Sequence, residues 1–397
     1  GGADKGGILV RQGQDLKSAQ EEARLSTGAV VEELARAGER LNYRLLTGTG
    51  PATGWVSVRL TGKELLVPDD SGDVEPSASS SAANTAAQPA QAEWTALRDK
   101  ALAGPAVAST LKANGSPWLS SVGKAKEAAK VRLVMFSWTG NRGGAGSSHN
   151  FLAWPKTLQE LCPDTFEVCQ VNYPGRGARM KEPCVEEASA IVTAVAAALG
   201  KCGAVPTLLF GFSFGAILAY ETAVALAAQK ATPLLGLVVA SAEHPSWQER
   251  QRGVDEDGKP TKGASDSRFE QVLKEKGGTD AILNNPDMKK QYLPVIRADM
   301  VMEEAYGASP PASHPQLPCP VVAFRGLKCP IIPRTEVDPW MTVTSCGAGT
   351  PSRVEEIETK LTPEQGGPWL CDWYLCQGQA SVTAMATAIA RDFGGAK

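Results

Sequence analysis

Apolar and polar residues follow two patterns along this chain, one on each side of a polar break. Up to Val58 the apolar runs are short and bounded by turns. They read Ile8-Leu9-Val10-Arg11, Ala29-Val30-Val31-Glu32-Glu33-Leu34, Leu41-Asn42-Tyr43-Arg44-Leu45-Leu46 and Gly54-Trp55-Val56-Ser57-Val58. Such runs predict short strands joined by tight turns, one of them at 37–40. Propensity alone favours helix over 15–40, which is rich in Ala, Glu and Arg. The strand–turn–strand pattern overrides it for the second half of that stretch. From Val131 onward β-rich runs alternate with longer helical stretches. Strands are predicted at 132–137, 167–173, 207–212, 235–241, 321–325 and 353–359, and helices at 185–199, 215–229 and 380–393. Strands alternating with helices predict a mostly parallel sheet covered by helices on both faces.

The break at 69–90 is a Ser, Ala, Asn, Gln and Pro mixture that cannot bury a core and reads as a linker. Residues 91–127 add one predicted helix, 92–103, and Gly/Ser/Pro breaks, and read as a connector. The expected organisation is therefore an all-β module over 1–68, a linker and connector helix over 69–127, and an α/β domain over 128–397. The order Ile8-Leu9-Val10-Arg11, then Arg24-Leu25 with Gly28, then Gly54-Trp55-Val56 resembles a bacterial-type SH3-like barrel. That resemblance implies an interaction or structural role, with Trp55 as a core or rim aromatic.

Composition narrows the function classes. The chain of 397 residues is 43% hydrophobic and 21% charged, which excludes wholesale disorder. A formal net charge of -3 offers no basic field for nucleic acid or an anionic membrane, so neither is expected as a partner. The most apolar stretch, 205–227, is interrupted by Gly211, Ser213, Gly215 and Glu221, so no membrane span is expected. The nine cysteines follow no CxxC spacing and predict buried thiols, with no metal site and no cofactor. The chain opens on Gly1. A soluble intracellular protein is expected, of the cytoplasm or of an organelle such as a plastid, with any leader removed.

The strongest chemical motif is Gly211-Phe212-Ser213-Phe214-Gly215, between a predicted strand and a predicted helix. This is the setting of a nucleophile elbow, in which a Ser on a strained turn is lifted above the sheet edge. The competing structural reading is a tight strand–helix turn whose Ser only caps the helix.

Around that motif the chain from Val131 resembles the type II thioesterases, stand-alone α/β-hydrolases that serve polyketide and nonribosomal peptide synthases. Tyr173-Pro174-Gly175-Arg176-Gly177-Ala178-Arg179 followed by Glu182-Pro183 matches one family segment. The elbow and its helix through Glu221 match a second. Leu293-Pro294-Val295-Ile296-Arg297-Ala298-Asp299-Met300, followed by Glu303 or Glu304 and by Tyr306, matches a third, and Trp154 and Trp340 fall at family tryptophans. The resemblance implies hydrolysis of acyl thioesters on the phosphopantetheine arm of an acyl carrier protein. Ser213 would attack, a His would take its proton, and an Asp would orient the His. Oxyanion donors would come from Phe214 and from the loop at Trp138 or Thr139. The stretch after 241 would form a lid, and it reads as extended and loose near 253–267.

The departures from the family pattern are as informative. Where the family has its His, this chain reads Gly366-Gly367-Pro368-Trp369, and Pro368 cannot accept a proton. Where the family has its Asp, Cys329 stands in Gly326-Leu327-Lys328-Cys329-Pro330. The chain holds three histidines, His149, His244 and His314. His244 follows the strand after the elbow strand and His149 lies in a Gly-rich loop, so these two are the candidate replacement bases, each weighed against a plain loop histidine. Glu336 and Asp338, before Trp340, read as solvated. Arg176 and Arg179 read either as contacts for an acidic carrier or phosphate, or as ion pairs with Glu182 or another carboxylate. Two functions follow. One is a non-catalytic binding or scaffold subunit that docks a protein partner through the SH3-like module or the hydrolase surface. The other is an active acyl-thioester hydrolase using Ser213 with a displaced base.

Overall fold

The computed structural model describes residues 7–47, 50–51, 53–60, 63–67, 92–107, 111, 114–123, 128–141, 151–247, 260–277, 279–309, 311, 313–327, 329, 332–346, 351–358 and 378–395. The chain divides into two compact units, Gly1–Ala87 and Gln88–Lys397. The linker expected at 69–90 lies outside the described residues.

The first unit is all β. Strands β1 (Ile8–Arg11), β2 (Gln20–Leu25), β3 (Val30–Ala37), β4 (Arg40–Thr47) and β5 (Thr53–Ser57) form one antiparallel sheet in the order β2-β1-β5-β4-β3. A two-residue pair, β6 (Arg59–Leu60) with β7 (Lys63–Glu64), follows. Residues 20–25, where propensity favours helix, are a strand because pairing with β1 carries Leu25 into the core beside Val10, Tyr43 and Val56. Gly54 has φ 151°, and a Cβ there would run into the Val10 side chain. Trp55 is half-buried, a rim aromatic. The Tyr43 hydroxyl donates to the Pro51 carbonyl at 2.9 Å, and burial pushes its phenol up to about 12.

The second unit is built on a seven-stranded sheet: β8 (Leu119–Ser121), β9 (Val131–Phe136), β10 (Phe166–Val171), β11 (Thr207–Phe212), β12 (Leu234–Ala240), β13 (Val321–Gly326) and β14 (Arg353–Ile357). The order is β14-β13-β12-β11-β9-β10-β8, parallel throughout except for β8, which pairs antiparallel with β10 at one edge. Strands β9 to β12 are buried along their whole length, as a parallel sheet covered on both faces requires. Together with its helices this is the mostly parallel, covered sheet that the alternation predicts and the α/β-hydrolase arrangement that the family resemblance implies.

The main helices are α1 (92–103), α2 (Trp154–Leu161), α3 (Ala188–Gly200), α4 (Phe214–Gln229), α5 (Asp266–Lys276), α6 (Asp280–Leu283), α7 (Pro286–Ala308) and α8 (Gln379–Phe393). Helix α1, which the sequence places in a connector, belongs to the core: Trp94 is buried, and its indole N–H donates to the Leu235 carbonyl. Helix α7, the longest of those described, is absent from the sequence expectation. Its Asn285 side chain accepts from the Asp287 and Met288 amides, and Pro286 occupies its first turn. The seven described cysteines are thiols, six of them buried and Cys184 half-buried; Cys371 and Cys376 lie outside the described residues. Among the described residues no helix is long and apolar enough to cross a membrane, and no group of His, Cys, Asp and Glu could hold a metal.

Candidate active site

The parallel strands end at one edge of the sheet, where α/β folds carry their ligands. The loop after β9, the Ser213 turn after β11, His244 after β12 and Cys329 after β13 all follow C-terminal strand ends. The Ser213 amide donates to the Ala240 carbonyl at 2.9 Å, and its own carbonyl accepts from Ala216 at 2.8 Å. These bonds hold Ser213 at φ 54° and ψ -131°, a conformation that suits glycine and strains any other residue. The flanking glycines explain how the turn fits. A Cβ on Gly215 would stand 2.5 Å from the Phe136 carbonyl oxygen, and one on Gly211 would run into the backbone of Ala216. The turn therefore has the backbone of a nucleophile elbow. The capping alternative finds no support, since the Ser213 side chain makes no cap hydrogen bond to its helix.

Next to it, Trp138, Thr139 and Phe214, the residues expected near an oxyanion, line one small pocket with Ser137, Tyr173, Leu218, Asp299 and Met302. The Trp138 ring meets Phe151 and Phe212 edge-on, with centroids 6.0 Å and 5.8 Å away, a favoured geometry for aromatic pairs.

The β9 loop is pinned by helix α7. Asp299 Oδ2 accepts the Gly140 amide at 2.7 Å, and Glu303 Oε2 accepts the Thr139 hydroxyl at 3.0 Å. Asp299 also receives both Arg176 terminal nitrogens, Nη1 on Oδ2 and Nη2 on Oδ1, each at 2.6 Å. Both side chains are buried. Burial alone would lower the Arg176 pKa; the facing Asp299 carboxylate more than offsets it, so the net direction is up and the guanidinium stays charged. Burial, and then the Asp299 charge, push the Tyr173 phenol up as well. Arg179 pairs bidentately with Glu182, at 2.9 and 2.6 Å, and lies over the Trp118 ring. Both arginines thus take the ion-pair reading left open by the sequence, with Arg176 buried on Asp299.

Asp299 and Glu303 are the residues that sequence reasoning left without a role. They sit one turn apart on α7 and face one loop. Their signal was the spacing within the 293–306 segment, read as a family match and not as a helix face. On another side of the same helix, Arg297 donates to the Ala264 carbonyl at 2.8 Å and to Asp266 Oδ1 at 2.7 Å, while Glu304 accepts the Thr261 amide at 3.0 Å and the Thr261 hydroxyl. The described part of the stretch expected to be loose, 260–267, is therefore tied down, with Thr261 buried; 253–259 lies outside the described residues.

His244 is buried. Its Nδ1 lies 2.7 Å from Ser246 Oγ, and its ring meets His314 and Trp340 with centroids 5.4 Å and 5.8 Å away. Its amide donates to the Glu336 carbonyl at 2.9 Å, and the Trp340 indole donates to the Ala242 carbonyl at 2.9 Å. Cys329 is buried in the turn after β13, where its amide donates to the Gly326 carbonyl at 3.0 Å and its carbonyl accepts from Arg325. His149 and Pro368 lie outside the described residues. The structure thus gathers Phe214, Trp138 and Thr139 beside the Ser213 turn, and builds His244 into an aromatic cluster with His314 and Trp340.

A family model for the thioesterase domain matches residues 133–343. Thioesterase PikA5 of Streptomyces venezuelae is 31% identical over 237 residues, which cover 59% of this chain and 77% of that protein. The medium-chain S-acyl fatty acid synthase thioesterase of Homo sapiens is 28% identical over 222 residues, or 55% and 77% of the two chains. YbtT, a type II thioesterase from the yersiniabactin NRPS/PKS biosynthetic pathway, has the same fold, with a TM-score of 0.53 at 23% identity over 70% of this chain and 99% of that one. With the elbow at Ser213 lying inside a match that spans more than half of its length, the chain belongs to the thioesterase domain family.

Proposed function

We propose that this chain is a thioesterase-fold binding subunit, which takes up the acyl-thioester arm of a carrier protein and does not hydrolyse it through a Ser-His-Asp triad. The observation that carries this reading is the placement of His244. Its Nδ1 is engaged by Ser246 Oγ at 2.7 Å, a hydroxyl where a triad base has its orienting carboxylate, and its ring is packed on Trp340 and His314 in the manner of a core histidine. The sequence supports it from the other side, since family resemblance puts Pro368 and Cys329 at the His and Asp positions. Losing the base from a Ser hydrolase lowers turnover by roughly 10⁶. The N-terminal all-β unit supplies the second half of the reading, an SH3-like docking module for a protein of the same assembly.

A second reading, an active acyl-thioester hydrolase with a displaced base, is favoured by one observation. Ser213 keeps the strained backbone of a presented nucleophile, beside a loop fixed by Asp299 and Glu303. His149 would then be the base.

The test uses an acyl carrier protein loaded with a short acyl-pantetheine arm. Incubated with this chain, the carrier should bind and its mass should retain the acyl group. Release of the acyl group at a rate that falls when His149→Ala is introduced would establish the second reading.

A further inference from the structure

Cys319 and Cys346 stand side by side at the start of β13, outside the site described above and independent of how it is read. Leu317 and Thr344 form a parallel bridge: the Leu317 amide donates to the Val343 carbonyl at 2.8 Å, and the Ser345 amide to the Leu317 carbonyl at 3.0 Å. Cys319 and Cys346 each lie two residues beyond that bridge. Both cysteines lie in the bends that follow the bridge.

A second observation locates them independently. The Thr344 hydroxyl donates to the Cys319 carbonyl at 2.8 Å and accepts the Cys346 amide at 3.0 Å, so both cysteine backbones meet on one oxygen. Bonds of 2.8 Å and 3.0 Å to one oxygen hold the two cysteine backbones within the short reach that a disulfide requires. Burial raises both thiols, against a Thr344 side-chain hydrogen bond at Cys346, and the charge on a Cys346 thiolate would oppose ionisation of Cys319.

We propose that Cys319 and Cys346 are a redox pair that closes to a disulfide when a low-molecular-weight disulfide is the oxidant. Cys346 is the point of entry, since it retains slight exposure while Cys319 has none. Its thiolate attacks the small disulfide, forming a mixed disulfide and expelling one thiolate. The Cys319 thiolate then attacks the Cys346 sulfur, forming the internal S–S bond and expelling the second thiolate. The two protein thiols lose two electrons and two protons, and the small disulfide leaves as two thiols. Both protein thiols have raised pKa values, which makes the closure slow at neutral pH and faster as pH rises. Closed, the bond ties the segment leading into β13 to the segment after Trp340.

The experiment equilibrates the full chain with reduced and oxidised glutathione at stepped ratios, blocks remaining thiols by alkylation, and maps peptides by mass spectrometry. A cross-linked Cys319–Cys346 peptide that grows with oxidant as a two-electron couple is expected, with the melting temperature rising by roughly 5 °C. In Cys319→Ser the internal bond should be replaced by glutathione trapped on Cys346. Both cysteines alkylated at every ratio in the wild-type chain would overturn the proposal, as would either one cross-linked to a different cysteine. The wild-type readout needs no variant, so a poorly folding substitution leaves the test intact.

Discussion

The Asp299 carboxylate holds two parts of the site at once, receiving the Arg176 guanidinium at 2.6 Å on each oxygen and the Gly140 amide at 2.7 Å on Oδ2. One buried anion thus fixes the 173–179 turn and the loop after β9 in the same geometry. Removing either member leaves the other charged and buried. Asp299→Asn and Arg176→Met should each destabilise the second unit by about 3–5 kcal/mol, with the paired variant Arg176→Met/Asp299→Leu recovering part of the loss. Urea unfolding followed by tryptophan fluorescence measures both.

The strain at Ser213 gives a sign that can be read from stability alone. Its φ is 54° with ψ -131°, where a Cβ is unfavourable. Ser213→Gly should therefore be more stable than Ser213→Ala by about 1 kcal/mol. If the two variants melt together, the turn does not hold that conformation in solution.

His244 should matter for folding and not for chemistry. Replacing it with Ala leaves Trp340 and His314 facing an unfilled space, and a loss of about 1–3 kcal/mol is expected. Thioester turnover should not change. A variant as stable as wild type that loses turnover would make His244 the base.

Two buried glutamates set a pH dependence. Burial raises Glu304, against the lowering effect of its Thr261 hydrogen bonds, and burial raises Glu221, against that of the Tyr306 hydroxyl. Between the ordinary value of 4.5 and the raised folded value, the folded chain keeps protons that the unfolded chain has released. These two groups therefore stabilise most fully below 4.5, and their contribution is lost as pH rises through the folded value. Denaturant midpoints taken across mildly acidic pH should fall less steeply in Glu304→Gln and Glu221→Gln than in wild type.

The sheet was legible because each strand is a short apolar run with a turn on either side. Thr207–Phe212 sits between Pro206 and the Ser213 turn, and expectation and structure coincide there. Helix α7 was not legible in this way. Lys289, Lys290, Arg297, Glu303 and Glu304 break its apolar period, and Pro294 argues against a helix interior. Its acidic residues are buried because they have partners far along the chain: Asp299 on Gly140 and Arg176, Glu304 on Thr261. No local pattern encodes such pairs. The elbow was legible because its chemistry and its backbone are the same five residues. The loop that Asp299 and Glu303 pin was legible as Gly-rich and, through the family resemblance, as a source of oxyanion donors, but its anchors on α7 were not.

The proposal that Ser213 has no working base is tested most directly by hydrolysis of a short acyl-pantetheine thioester, with the wild-type chain and Ser213→Ala side by side. Equal rates, both at the uncatalysed background, are expected. A wild-type rate well above background that Ser213→Ala abolishes would contradict the proposal and make this chain an acyl-thioester hydrolase.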